Sequence, residues 1–184
     1  MSARPALFLD RDGVINVDHA YVCVKENFEF IEGIFNLCRE AKRRGYWIFV
    51  ITNQAGIGRG YYTEQDFLNL TDWMLGIFEA ESAKIDAVYF CPFHPVNGVG
   101  VYKKESYCRK PNPGMIIQAM EEYDIDLKKS LLVGDNASDI QAGLAAGVGI
   151  NLLYDQGING HEQEIDSTTI VVGNLNQVLH YLIP

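Results

Sequence analysis

Long hydrophobic runs are missing from this chain. Nowhere do about 18 apolar residues follow one another, the length a membrane-spanning helix needs. The apolar stretch near the N-terminus, Ala6 to Leu9, is also too short for the core of a secretory signal. The expected compartment is therefore the cytoplasm, with no membrane partner. Cysteine is scarce: Cys23, Cys38, Cys91 and Cys108 do not make a disulfide scaffold, and in a reducing compartment they read as free thiols or metal ligands. Basic residues are outnumbered, with 15 Lys and Arg against 24 Asp and Glu. The resulting net charge of −9 argues against a protein that holds nucleic acid by neutralising its phosphates. The deficit is uneven: residues 1–110 hold 13 basic against 14 acidic residues and residues 111–184 hold 2 against 10, so an anionic small molecule is not excluded. Repeats, low-complexity segments and linkers are absent as well, and 184 residues, 48% of them hydrophobic, suffice for one domain around one core. No excess apolar stripe calls for a second subunit, so a monomer is expected.

What is present is an alternation of strand-length apolar runs with longer amphipathic stretches. Ala6 to Leu9, Trp47 to Ile51, Ala87 to Phe90, Ser130 to Val133, Val148 to Leu153 and Thr169 to Val172 read as buried strands. Ile34 to Arg44, Glu64 to Glu81, Gly114 to Tyr123, Asp139 to Ala146 and Leu175 to Leu182 read as helices. Thr63 is placed to cap the second helix, and Asn112 to cap a third that starts at Pro113. Gly45 and Gly147 mark helix exits. This order predicts an α/β fold, a Rossmann-like three-layer sandwich around a mostly parallel sheet. Two connections, residues 13–32 and 91–112, exceed the usual two to six residues, yet neither is long enough for a separate cap domain.

Chemistry concentrates at the carboxyl ends of these strands, where open α/β sheets bind ligands. In LFLDRDGVIN, Asp10 and Asp12 leave the first strand two residues apart, so both carboxylates point to one side. They repel each other unless a cation lies nearby. The second strand ends in Thr52-Asn53-Gln54, a hydroxyl and two amides. Arg109 and Lys110 bring two cations just before a helix, and Asp135 and Asp139 form a second acid pair after the fourth strand. Asp139 alone is explained as a favourable first-turn acid, whereas Asp135 is not. An acid pair, a hydroxyl, a lysine and a further acid match phosphoryl transfer through an aspartyl phosphate, and carboxylates with water suit magnesium.

The segments LFLDRDGVIN, VITNQAGIGRGYYTEQDF, CRKPNPGM and LVGDNASDIQAG resemble the four motifs of the haloacid dehalogenase (HAD) superfamily of phosphatases. They most resemble the branch of heptose 1,7-bisphosphate phosphatases and histidinol-phosphatases. The resemblance spans residues 6–153 and implies a HAD-like fold and a phosphoric monoester hydrolase. Asp10 is then the nucleophile and Asp12 the general acid and base. Thr52 and Lys110 stabilise the phosphoryl group, and Arg109 helps to recognise substrate. Magnesium would be held by Asp10, Asp135 and the Asp12 carbonyl. Asp18, His19, Ala20 and Tyr21, with Thr52, Asn53, Gln54 and Ala55, would contact a small phosphorylated sugar. The implied substrate is the 7-phosphate of D-glycero-D-manno-heptose 1,7-bisphosphate, on the route to nucleotide-activated heptose for lipopolysaccharide and other surface glycans. The β anomer is the expected form, and the motifs leave the anomer open. Histidinol phosphate is the alternative substrate, and a phosphosugar-binding protein without turnover the alternative class. Lys103 and Lys104 add positive charge that suits a second phosphate.

Members of this superfamily often hold a structural zinc through C-x-H and C-x-C in the second long loop. Here Phe93 and Ser106 replace two of those ligands, leaving Cys91, Cys108 and the displaced His94. Since structural zinc sites are closed by four protein ligands, the sequence favours a zinc-free loop packed on Phe93, Tyr102 and Tyr107. Cys38 falls at core spacing, Cys23 has no nearby base, and His161 and His180 read as surface residues.

Overall fold

The computed structural model describes residues 3–155, 157 and 167–183; His161 lies outside them. Six strands form one sheet: β1 (Ala6–Leu9), β2 (Trp47–Asn53), β3 (Ala87–Cys91), β4 (Leu131–Gly134), β5 (Ile150–Tyr154) and β6 (Ile170–Val172). Their order is β3-β2-β1-β4-β5-β6 and all five pairings are parallel. The helices are α1 (Ile34–Arg43), α2 (Ala55–Gly58), α3 (Glu64–Ala80), α4 (Gly114–Glu122), α5 (Ala137–Ala146) and α6 (Leu175–Val178).

Side chains alternate across an extended strand, and the two cores divide accordingly. Leu7, Leu9, Ile48, Val50, Leu131, Val133 and Leu152 pack with Ile34, Leu37 and Cys38 of α1, Met74 and Phe78 of α3, and Leu175 and Val178 of α6. Their neighbours Ala6, Phe8, Phe49, Ile51, Leu132 and Leu153 face the other way, onto Met115, Ile116 and Ala119 of α4 and Ile140 and Ala142 of α5. Burial on both faces explains why these strands read as unbroken apolar runs.

Local signals account for most helix ends. The Thr63 side chain caps α3 and the Asp66 carboxylate reaches back to the Thr63 N–H, a reciprocal cap. Gly147 ends α5 in the left-handed region, with φ 85°. At α4 the cap position falls on Pro113, one residue beyond the expected Asn112, and carries no side-chain cap bond. The four-residue α2 is too short to announce itself by periodicity, and the last helix is α6 followed by a 3₁₀ turn at Leu179–Tyr181.

The chain builds outward from β1 to β2 and β3, then crosses to β4 and continues through β5 and β6. Adjacent strands β1 and β4 therefore lead into connections that diverge, and their carboxyl ends frame a crevice. The 13–32 connection is anchored beside it by Val14, Ile15, Val22, Phe28 and Ile31, all buried in the core. No described helix is long and apolar enough to cross a membrane.

Candidate active site

A cleft of about 320 Å³ opens over the β1, β2 and β4 ends, lined by Asp10, Asp12, Asp18, Ala20, Tyr21, Thr52, Asn53, Gln54, Ala55 and Lys110. Ten sequence-predicted residues thus meet in one place. Gly56, Tyr62, Asn136, Ser138 and Asp139 complete the lining.

The floor is an ionic cluster. Lys110, 3% exposed, reaches Asp10 Oδ1 at 2.9 Å and Asp139 Oδ1 at 2.6 Å, and donates to the Ile51 carbonyl at 2.8 Å. Its backbone is held by Asn53 in both directions: the Lys110 N–H donates to Asn53 Oδ1 and Asn53 Nδ2 donates to the Lys110 carbonyl, each at 3.1 Å. Asn53 therefore fixes the loop that carries the lysine. Burial opposes the Lys110 charge, yet Asp10 and Asp139 keep its acidity weaker than that of an ordinary lysine.

Asp10, Asp135 and Asp139 each bring a carboxylate oxygen within 4.8 Å of the others. Burial, reinforced by Asp139, pushes Asp10 well above the usual carboxylate range against the pull of Lys110. The same causes push Asp135 up to about 7. Crowded, buried oxygens that resist ionisation are the donor set a hard divalent cation relieves, so the residues fit magnesium. Asp139 is already committed, with Oδ1 on Lys110 and Oδ2 accepting the Asn136 N–H at 3.0 Å. Asp10 and Asp135 are the acids left to face an ion. Gly13 allows this approach: its φ is +91°, and a Cβ there would stand 2.1 Å from Asp135 Oδ2.

Asp12 turns its carboxylate to a different set of partners. Arg11 Nη2 at 2.8 Å and Asn16 Nδ2 at 3.0 Å donate to Oδ1; Arg11 Nε at 3.2 Å and Gln54 Nε2 at 3.0 Å donate to Oδ2. Asp10 and Asp12, two residues apart, are thus held by separate partners.

Some predicted residues stand apart from the cleft. His19 Nε2 lies 3.3 Å from Glu29 on an exposed surface, and Arg109 Nη1 donates to the Phe93 carbonyl at 3.2 Å. Lys103 and Lys104 are exposed, and the Lys104 ammonium sits 4.1 Å above the Phe93 ring. In the second long loop, the Phe93 and Tyr102 rings meet tilted at 40°, with centroids 6.0 Å apart, whereas Tyr107 is exposed rather than packed. The Cys108 sulfur lies 3.0 Å from Ser106 Oγ, and the mutual influence of the Cys91 and Cys108 thiols pushes Cys91 up and Cys108 down to about 6. His94 Nδ1 accepts the Val96 and Asn97 N–H groups, and Cys91, His94 and Cys108 do not form a three-ligand group among the described residues. Cys38 is buried, and His180 is exposed. The sequence does not single out Tyr62, and it explains Asp139 as a first-turn acid, a role the structure keeps while adding the ion pair to Lys110. The residues before Thr63 held the signal for Tyr62, an aromatic close behind the Asn53-Gln54-Ala55-Gly56 turn.

Fold and site define a HAD-like hydrolase core, and comparison with known proteins agrees. Residues 107–178 match the HAD-hydrolase-like family model. The D-glycero-alpha-D-manno-heptose-1,7-bisphosphate 7-phosphatase of Burkholderia mallei is 63% identical over 80% of this chain and 78% of its own. The beta-anomer counterpart from Vibrio cholerae is 45% identical over 98% and 97%. The D,D-heptose 1,7-bisphosphate phosphatase of B. bronchiseptica, solved with magnesium and phosphate, superposes with a TM-score of 0.84 at 27% identity, covering 97% of each chain. The chain belongs to the HAD-like hydrolases, in the branch whose named members are heptose-1,7-bisphosphate 7-phosphatases.

Proposed function

We propose that this protein hydrolyses the 7-phosphate of D-glycero-D-manno-heptose 1,7-bisphosphate through an aspartyl phosphate on Asp10. One observation carries the reading: Asp10, Asp12, Thr52 and Lys110 line a single cleft with each polar group held by buried partners. Asp10 Oδ1 accepts from Lys110 and from the Arg11 N–H at 2.7 Å, which fixes the carboxylate at the floor of the cleft for attack. Asp12 gives a proton to the departing sugar oxygen, then takes one from the water that cleaves the acyl phosphate. Lys110 and the Thr52 hydroxyl meet the phosphoryl oxygens where charge gathers. A magnesium ion held by the Asp10 and Asp135 carboxylates and the Asp12 carbonyl would neutralise the acids and the phosphoryl group together. Asp18, Ala20, Tyr21 and Ala55 form the wall against which the sugar rests, while His19 and Arg109 would reach it only by moving. The high identity to named heptose phosphatases supports the substrate, and the balanced charge of residues 1–110 tolerates an anion. The chain is read as a single-domain monomer acting in the cytoplasm on the route to nucleotide-activated heptose.

The test is phosphate release, with magnesium, from both anomers of the heptose bisphosphate and from histidinol phosphate. Efficient release from the heptose bisphosphate and little from histidinol phosphate is expected. Preference for histidinol phosphate would move the protein to the other half of its branch, and no release from any ester would make it a binding protein. Asp10→Asn should abolish turnover; appreciable activity in that variant removes Asp10 from the nucleophile's role.

A further inference from the structure

Gln54 follows the second strand as if to greet a substrate, yet its side chain is spent inside the protein. It is 1% exposed. Its Nε2 donates to Asp12 Oδ2 at 3.0 Å and to Thr52 Oγ1 at 2.8 Å, and its Oε1 accepts the Tyr62 hydroxyl at 2.5 Å. Every polar atom of the amide is thereby tied to a named partner. The Asp12 carboxylate, which only accepts, fixes Nε2 as the end that faces it, so the amide oxygen faces Tyr62 and takes the phenol hydrogen. The two amide hydrogens are then directed at Asp12 and Thr52.

The support behind Gln54 is equally built. Tyr62 is buried and packs with Ile57 and Phe67. Its ring lies so close to α2 that a Cβ on Gly56 would fall 2.2 Å from Tyr62 Cε1. The short helix can therefore carry no side chain at that position if the phenol is to reach Gln54. Burial holds the phenol protonated well above its ordinary range, which keeps it a donor.

We infer that Tyr62 and Gln54 are positioning residues for the proton-transfer machinery: Tyr62 orients the Gln54 amide, which sets the rotation of the Asp12 carboxylate and turns the Thr52 hydroxyl hydrogen toward the cleft. This inference rests on Asp12 serving as the acid and base of the proposed reaction. Thr52 Oγ1 already accepts from Gln54, so its own hydrogen is the one to offer a phosphoryl oxygen. Asp12 is braced on Oδ1 by Arg11 and Asn16 and on Oδ2 by Arg11 and Gln54. Loss of Gln54 removes the brace on the cleft's β2 side.

A misplaced acid matters in proportion to how much the leaving group needs a proton. An alkoxide needs one; 4-nitrophenolate departs readily without it. The measurement is therefore kcat/KM, which reports the steps up to formation of the aspartyl phosphate, for an alkyl phosphate monoester and for 4-nitrophenyl phosphate. Gln54→Leu should lower the alkyl value by about 100-fold, the scale of a small misplacement of a catalytic group, and the aryl value far less. Tyr62→Phe, which keeps the ring and deletes only the donor, should shift the same ratio in the same direction by a smaller factor. The ratio of the two values is independent of the fraction of protein folded, so partial misfolding cannot imitate the effect. Equal losses on both esters, or an unchanged ratio in both variants, would overturn the inference. Asp12→Asn separates it from the reading beneath: if that variant still turns over the alkyl ester, Asp12 is not the acid; if it does not, an unchanged ratio in Gln54→Leu defeats the positioning role alone.

Discussion

Lys110 is the residue on which most of the site's charge converges. Its ammonium is shared by Asp10 and Asp139 and its main chain is clamped by Asn53, so it is fixed before any phosphate arrives. A preorganised cation of this kind contributes most when negative charge develops in a site closed to water. Lys110→Ala is expected to lower kcat/KM by about 10²–10³-fold, with urea unfolding showing lost stability because Asp10 and Asp139 are left buried without their counter-charge. Activity near that of the unaltered protein would show that the lysine serves only the fold. Asp10, Asp12, Thr52 and Lys110 were legible in the sequence because acids, a hydroxyl and a lysine placed at strand ends are rare except where chemistry uses them. Asn53, Gln54 and Asp139 were harder to read. Their partners lie 57, 42 and 29 positions away, at Lys110, Asp12 and Lys110 again, and side-chain direction over such separations is decided by tertiary packing. Asn53 and Gln54, expected as substrate contacts, do line the cleft, and their side chains also hold Lys110, Asp12 and Thr52.

Among the elements, α3 shows how far local rules reach. Its start was read from Thr63, and the reciprocal bonds between Thr63 and Asp66 form as that reading requires. Those bonds hold the Asp66 carboxyl below the usual range. A carboxyl lowered in the folded state stabilises the protein above its ordinary pKa, 3.8, and loses that contribution as the pH falls through the lowered value. Thr63→Ala should cost about 1 kcal/mol near neutrality, a typical N-cap loss, and the difference should shrink below pH 4 in parallel urea titrations. A difference that does not change with pH would mean that Asp66 is not coupled to the cap. The strands were recovered almost residue for residue, since both faces of a parallel sheet are buried and the apolar run is unbroken. The misses were the four-residue α2, which is too short for a helical period, the start of α5, which lies at Ala137 rather than Asp139, and the cap of α4, a position taken by Pro113 rather than Asn112.

For the molecule as a whole, the acidic cluster should link stability to both pH and metal. Asp135 sits at about 7 in the fold, through burial first and Asp139 second. Because this value is raised, the folded protein holds a proton that the unfolded chain releases, and stability without metal declines as the pH rises from about 4 to about 7. Magnesium, binding the ionised acids of the native state, should restore what is lost. Thermal melts are expected to show a larger magnesium-dependent rise in Tm at pH 8 than at pH 5, and Asp135→Asn should flatten both trends. A rise of equal size at both values would place the ion elsewhere.

The sheet order has a further consequence for how such an enzyme changes its diet. The reacting groups stand on strand ends at the crossing point of the sheet, while Asp18, Ala20 and Tyr21 belong to the 13–32 connection, which is rooted in the core by its own apolar side chains. On the proposed reaction, selectivity would be carried by a detachable fitting and reactivity by the frame. Exchange of residues 17–21 alone, between the buried anchors Ile15 and Val22, would exchange the wall of the cleft and leave the chemistry in place.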